Sequence, residues 1–117
     1  MLSEAGTGQV YLACGATDMR KSIDGLAALV EYSFDLDPFS DAWFVFCNRG
    51  RDKLKLLRWD NNGFWLYYRR LEKGRFAWPS DPKGPMMISR RQLAWLLDGL
   101  TLEQRQAHRP VEARTIV

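Results

Sequence analysis

Only one histidine and two cysteines occur in this sequence of 117 residues. A structural zinc site needs about four thiolate or imidazole ligands, and the single histidine, His108, stands in a polar C-terminal stretch, so no metal site is expected. Cys14 and Cys47 lie far apart in the apolar surroundings YLACGA and FVFCNR, where a cysteine serves as a small buried hydrophobe and stays reduced. No apolar run approaches the roughly 18 residues of a membrane span. The opening MLSEAGTGQV has neither the basic nor the apolar block of a signal peptide. The expectation is a cytoplasmic protein with no membrane contact. There is no GxSxG setting for a serine nucleophile and no GxxxxGK run followed by Ser or Thr for nucleotide phosphates. Asp18, Asp24, Asp60 and Asp98 follow no spacing diagnostic of a metal-dependent nuclease, and the last three have local duties at a helix start, a hairpin and a helix end. Neither catalytic residues nor a cofactor are expected.

The length supports one hydrophobic core, and 46% hydrophobic with 26% charged residues is the balance of an ordinary globular chain. The charge is unevenly placed. Between Arg49 and Arg75 nine basic residues face three acidic ones, a balance of +6, while the remainder carries eight basic and eleven acidic residues, a balance of −3. A basic segment on a mildly acidic body is the asymmetry of a surface that meets phosphate.

Hydrophobic periodicity divides the chain. Val10 to Cys14 reads as a strand ended by Gly15. Ile23, Leu26, Ala27, Val30 and Phe34 then fall at helical spacing, with Ser22 as N-cap and Asp24 in the first turn. Gly25 inside that helix points to close approach by another backbone. DLDPFSD breaks the helix before residue 42. AWFVFCN is apolar on both faces, RGRD turns the chain into the strand KLKLLRWD, NNG is a hairpin signal leading into FWLYYRRL, and EKGR turns again into FAWP, where Pro79 stops the ladder. In SRRQLAWLLDGL, Ser89 and Gln92 form a capping-box pattern, Leu93, Leu96, Leu97 and Leu100 share a face, and Gly99 ends the helix. The expected fold is α+β, an antiparallel β-meander of about four to six strands packed with two helices. Residues 1–100 form one domain, and 101–117 a flexible polar tail.

Strand alternation sorts the basic and aromatic residues. Lys55, Leu57 and Trp59 face one way and Leu54, Leu56 and Arg58 the other; Trp65, Tyr67 and Arg69 oppose Phe64, Leu66, Tyr68 and Arg70. Neither face is cleanly polar, and the charges gather at strand ends and turns. The candidate phosphate contacts are Arg49, Arg51, Lys53, Lys55, Arg69, Arg70, Lys73 and Arg75, which would position a DNA backbone without reading sequence. Trp65, Tyr67, Trp78 and Trp95 are candidate protein-interface anchors, since Trp, Tyr and Arg are also the commonest hot-spot residues.

The blocks TDMRKSIDGLAALV (17–30), DPF (37–39), FVFCNRGRDKLKLLRWDNNGFWLYYRRLEKGRFAWP (44–79) and QLAWLLDGL (92–100), in this order, resemble the small TnpB, or Orf2, accessory proteins of the insertion-sequence 66 group of bacterial transposable elements. The much longer RNA-guided nucleases that share the name TnpB are unrelated to this sequence. The resemblance runs from about residue 10 to residue 100, and departs mildly where Ser22 and Lys73 replace Gly and Arg of the family pattern. It implies a non-enzymatic protein encoded beside a separate transposase, which performs the DDE-type chemistry, and needed for efficient movement of the element. Its partners would be that transposase and duplex DNA at the element ends, with homo-oligomers possible and nucleoid association if DNA is bound. The alternative is an adaptor that binds the transposase or itself without touching DNA.

Overall fold

The computed structural model describes residues 8–80, 84–99 and 102. In chain order the elements are β1 (Val10–Cys14), α1 (Ile23–Ala28), which runs on into a π-helical turn (Leu29–Ser33), β2 (Trp43–Cys47), β3 (Lys53–Asp60), β4 (Gly63–Arg70), β5 (Gly84–Ile88) and α2 (Arg90–Leu97). The five strands form one sheet in the order β4-β3-β2-β1-β5.

The α+β class, the two helices and the five strands match the sequence expectation, but the sheet is mixed. Only β2-β3-β4 is an antiparallel meander. Strand β1 lies parallel to β2, Val10 beside Trp43 and Leu12 beside Val45, with α1 in the connection between them, and β5 closes the far side antiparallel to β1. The composition of β2 explains its place. All five of its residues are buried, as suits a strand covered on both faces.

Two layers of side chains do the covering. On one face Leu26 and Val30 of the first helix pack over Ala13, Phe44, Phe46 and Leu57. On the other, Leu93 and Leu96 of α2 join Phe76 and Trp78 over Leu12, Trp43, Val45, Leu54 and Leu56. The helix stripe from Ile23 to Phe34 is thus spent on the sheet, with Leu26 and Val30 fully buried. Ser22 does stand at the N-cap, yet its side chain makes no capping bond. Gly25 meets no foreign backbone either: an added Cβ would lie 3.3 Å from the Lys21 side chain. The capping box of α2 is complete, Ser89 Oγ accepting from the Gln92 amide at 3.0 Å and the Ser89 amide donating to Gln92 Oε1 at 2.9 Å. Gly99 follows the helix at φ +83°, the left-handed conformation that closes helices. Leu100, His108 and the expected tail, apart from Leu102, lie outside the described residues.

The FAWP segment is not a strand. Phe76 and Trp78 are 1% and 5% exposed, and the chain from Leu71 to Pro79 folds back over the α2 side of the sheet as an irregular cover. The Trp78 indole N–H donates to the Ala13 carbonyl at 2.9 Å, and the Gly15 amide donates to the Pro79 carbonyl at 2.9 Å. Burial of two aromatic rings outweighs ladder bonds that Pro79 would end anyway.

Candidate nucleic-acid interface

The two basic clusters, separate in sequence, meet at one end of the sheet. Antiparallel pairing puts Lys53 opposite Arg70 and Leu54 opposite Arg69. The chain leaving β4 is then tied to the β2-β3 turn, the Leu71 amide donating to the Asp52 carbonyl at 2.8 Å and the Phe76 amide to the Arg51 carbonyl at 2.7 Å. Arg69 to Arg75 are thereby held against Arg49 to Lys53.

Asn48 builds the turn itself. Its Oδ1 accepts from the amides of Asp52 (3.1 Å) and Lys53 (3.0 Å), and its Nδ2 donates to Asp52 Oδ1 at 2.8 Å. That last bond, ahead of the nearby Lys53 ammonium, holds the Asp52 carboxyl below its ordinary value. Arg51 occupies the left-handed region at φ +62°, an unusual conformation for a side chain of this size, held here by bonds on either side of it. The consequence is outward projection: Arg49 and Arg51 are exposed, as are Arg69, Lys73 and Arg75. None of these five has a carboxylate partner among the described residues.

The other three candidates have partners. Lys53 lies 3.4 Å from Asp52 and Arg70 3.0 Å from Glu72, both at the surface, so each remains available at little cost. Lys55 is spent within the fold. Its ammonium donates to the carbonyls of Met19 (2.7 Å) and Lys21 (2.8 Å) and stands over the Tyr68 ring, fastening the loop after β1 to the sheet. Within that loop Arg20 pairs with Asp18 at 2.8 Å, a bond that draws the Asp18 carboxyl down to about 2.

A cleft opens at the carboxyl ends of the parallel pair β1 and β2, lined by Gly15, Ala16, Asn48, Arg49, Arg51, Trp78, Pro79 and Ser80. A second hollow adjoins it along Ala16, Thr17, Asp18, Met19 and Asn48 to Gly50. The cleft is walled by two arginines, which suits an anion.

The aromatic candidates separate. Trp65 is 54% exposed on β4, its ring stacked on Tyr67 with centroids 6.1 Å apart and its indole N–H given to Asp60 at 3.2 Å. Tyr67 is half-buried and stacks in turn on Trp43. Trp95 is half-buried on α2. Trp78 belongs to the core and offers no surface ring. Sequence reasoning misses Tyr68, which is 55% exposed beside the basic end, and Phe39, also exposed, which packs against Trp59 and Phe64. Alternation of side chains along β4 sets Tyr68 with Arg70, a signal for the first; nothing in DPF announces the second. Arg58, which is not among the candidate contacts, lies over the Trp43 ring at 4.8 Å, inside the fold. Among the described residues no group of three or more His, Cys, Asp or Glu side chains is placed to hold a metal ion.

Fold and surface together define a small α+β protein with one basic sheet end and an aromatic edge. The chain belongs to the family described as "IS66 Orf2 like protein", whose profile matches residues 8–107, the accessory proteins of that insertion-sequence group. It is 39% identical over 100 residues to the uncharacterized protein y4hO of Sinorhizobium fredii, covering 86% of this chain and 87% of that one. It is 31% identical over 109 residues to the uncharacterized protein y4jC of the same organism, covering 93% and 92%. No solved structure matches it. No helix of the described residues is long and apolar enough to cross a membrane.

Proposed function

We propose that this protein is a non-catalytic transposition factor that grips the DNA backbone through its basic sheet end and helps assemble the element's transposase on DNA. The observation that carries the reading is the gathering at one sheet end of Arg49, Arg51, Arg69, Lys73 and Arg75, exposed and without carboxylate partners among the described residues, with Arg49 and Arg51 walling the cleft there. Lys53 and Arg70 extend the same surface. Guanidinium forks match phosphate oxygens in pairs, and contacts of this kind position a protein on duplex DNA without specifying sequence. Such a protein works in the cytoplasm, at the nucleoid.

Binding to labelled element-end and unrelated duplexes across a salt series tests the proposal. Engagement of about four or five phosphates gives a log–log slope near −4. An Arg49→Glu/Arg51→Glu variant, altered in exposed side chains only, should lose binding and keep its fold. Absence of binding at low salt, or unchanged binding by the variant, would refute the DNA reading.

A further inference from the structure

Strand β4 is the outermost strand of the sheet, and among the described residues nothing pairs with its outer edge. It is eight residues long and pairs with β3 without a bulge from Lys53↔Arg70 to Asp60↔Gly63. Proteins blunt such edges with proline, bulges or a lysine in mid-strand. The opposite edge strand, β5, is five residues long and contains Pro85. The β4 sequence GFWLYYRR has none of these devices, and its middle is five apolar or aromatic residues, Phe64 to Tyr68, each at least partly exposed. Trp65 and Tyr68 reach 54% and 55% exposure on opposite faces. An edge that is apolar on both faces is covered when another strand continues the sheet.

We propose that β4 pairs antiparallel with β4 of a second copy of this chain, joining two five-stranded sheets into one. Charge selects the second copy and its direction. Both strands end in Arg69-Arg70, and parallel pairing would stack four arginines. Antiparallel pairing carries each arginine pair to the aromatic, Asp60-bearing end of the other copy. A two-fold axis normal to the sheet keeps each face on its own side, so residues of like parity meet across the junction. Centred on Tyr67, the register sets Arg69 opposite Trp65 and Arg70 opposite Phe64, and leaves Leu66 opposite Tyr68. Guanidinium groups over aromatic rings, together with cross-strand apolar pairs, then line the junction. The two basic ends of such a dimer point in opposite directions. The pairing itself does not depend on what those ends bind, and its test uses no DNA.

The molar mass of the full chain in solution, measured by sedimentation equilibrium at micromolar concentration, decides the matter. Twice the 13.6 kDa of one chain is expected. A Trp65→Lys/Tyr68→Lys variant, altered at two side chains more than half exposed, should return to the single-chain mass with its circular dichroism unchanged. Tyr67→Cys, placed on the two-fold axis, should cross-link to itself on mild oxidation, whereas Asp24→Cys on the exposed side of α1 should not. A monomeric wild-type chain overturns the proposal. So does a dimer that survives the lysine variant, or a folded Tyr67→Cys variant whose two copies fail to link. If Tyr67→Cys does not fold, the lysine variant alone decides.

Discussion

The backbone amide of Phe76 donates to the carbonyl of Arg51 at 2.7 Å, so a fully buried core ring and an exposed arginine of the basic end are bound through one hydrogen bond. Packing of the ring on the α2 face therefore positions the charge at the sheet end. Phe76→Ala should cost about 3–5 kcal/mol, the usual range for emptying an aromatic site in a core, measured by urea unfolding. Because it also frees the 71–79 cover, exchange of the amides that hold the cover to the turn, those of residues 71 and 76, should rise. Unchanged exchange there would mean that the turn holds the cover and not the reverse.

The α2 helix is eight residues long and depends on its start. Ser89 and Gln92 satisfy two amide groups reciprocally, and Leu93 and Leu96 behind them close one side of the core. Ser89→Ala should destabilise the protein by about 1 kcal/mol, while Ser89→Asp, which can still accept from the Gln92 amide, should cost less. Equal losses from both would show that the hydroxyl, and not the cap, matters.

Much of this architecture was legible in the sequence, for reasons that differ by element. Alternation in KLKLLRWD and FWLYYRRL, with Asn-Asn between them, set the β3-β4 hairpin and the face of each side chain, since period and turn chemistry are local properties. The α2 capping box was equally local. The parallel neighbour of β2 was not, because the apolar run VYLAC fits any interior position and only the α1 connection places it there. FAWP reads as a strand by residue type, and its true role depends on a core face to which distant residues contribute, Ala13 lying 65 positions before the Trp78 that it binds. Among the candidate contacts, the charge asymmetry located the basic end but grouped Lys55 with Arg49, although alternation sets Lys55 within β3 on the covered face of Leu57 and Arg49 stands in a turn.

Burial pushes the Cys47 thiol up to about 12 from 9.0, desolvation being the main cause. The unfolded chain loses this proton near 9 and the folded chain holds it, so the contribution of the neutral thiol to stability is complete below pH 9. It declines as pH rises from about 9 toward about 12. Stability of the wild type should fall across that window, and part of the fall should vanish in Cys47→Ala once its lower starting stability is subtracted. The same burial predicts slow alkylation of both buried cysteines, Cys14 and Cys47, at a rate that follows global unfolding. Rapid labelling of native protein would contradict the packing described for β2.

Lys55 and Arg49 carry the same charge at the same end of the sheet, and geometry assigns them opposite duties. The Lys55 ammonium donates to Met19 and Lys21 carbonyls at 2.7 and 2.8 Å, whereas Arg49 is exposed beside the cleft. Lys55→Met keeps the length of the side chain and removes both bonds, leaving the part-buried Met19 carbonyl and the exposed Lys21 carbonyl without their donor. Hydrogen bonds from a charged group are worth about 1.5–3 kcal/mol, so a loss of that order should appear in unfolding, together with faster proteolysis in the 17–21 loop. Its DNA binding, measured where the variant is fully folded, should keep the wild-type salt slope. Arg49→Ala should do the converse, leaving stability within about 0.5 kcal/mol of wild type and reducing the magnitude of the slope by about 1. If instead Lys55→Met flattened the salt slope while leaving stability untouched, the ammonium would be a phosphate contact, and the loop after β1 would have to be held by something else.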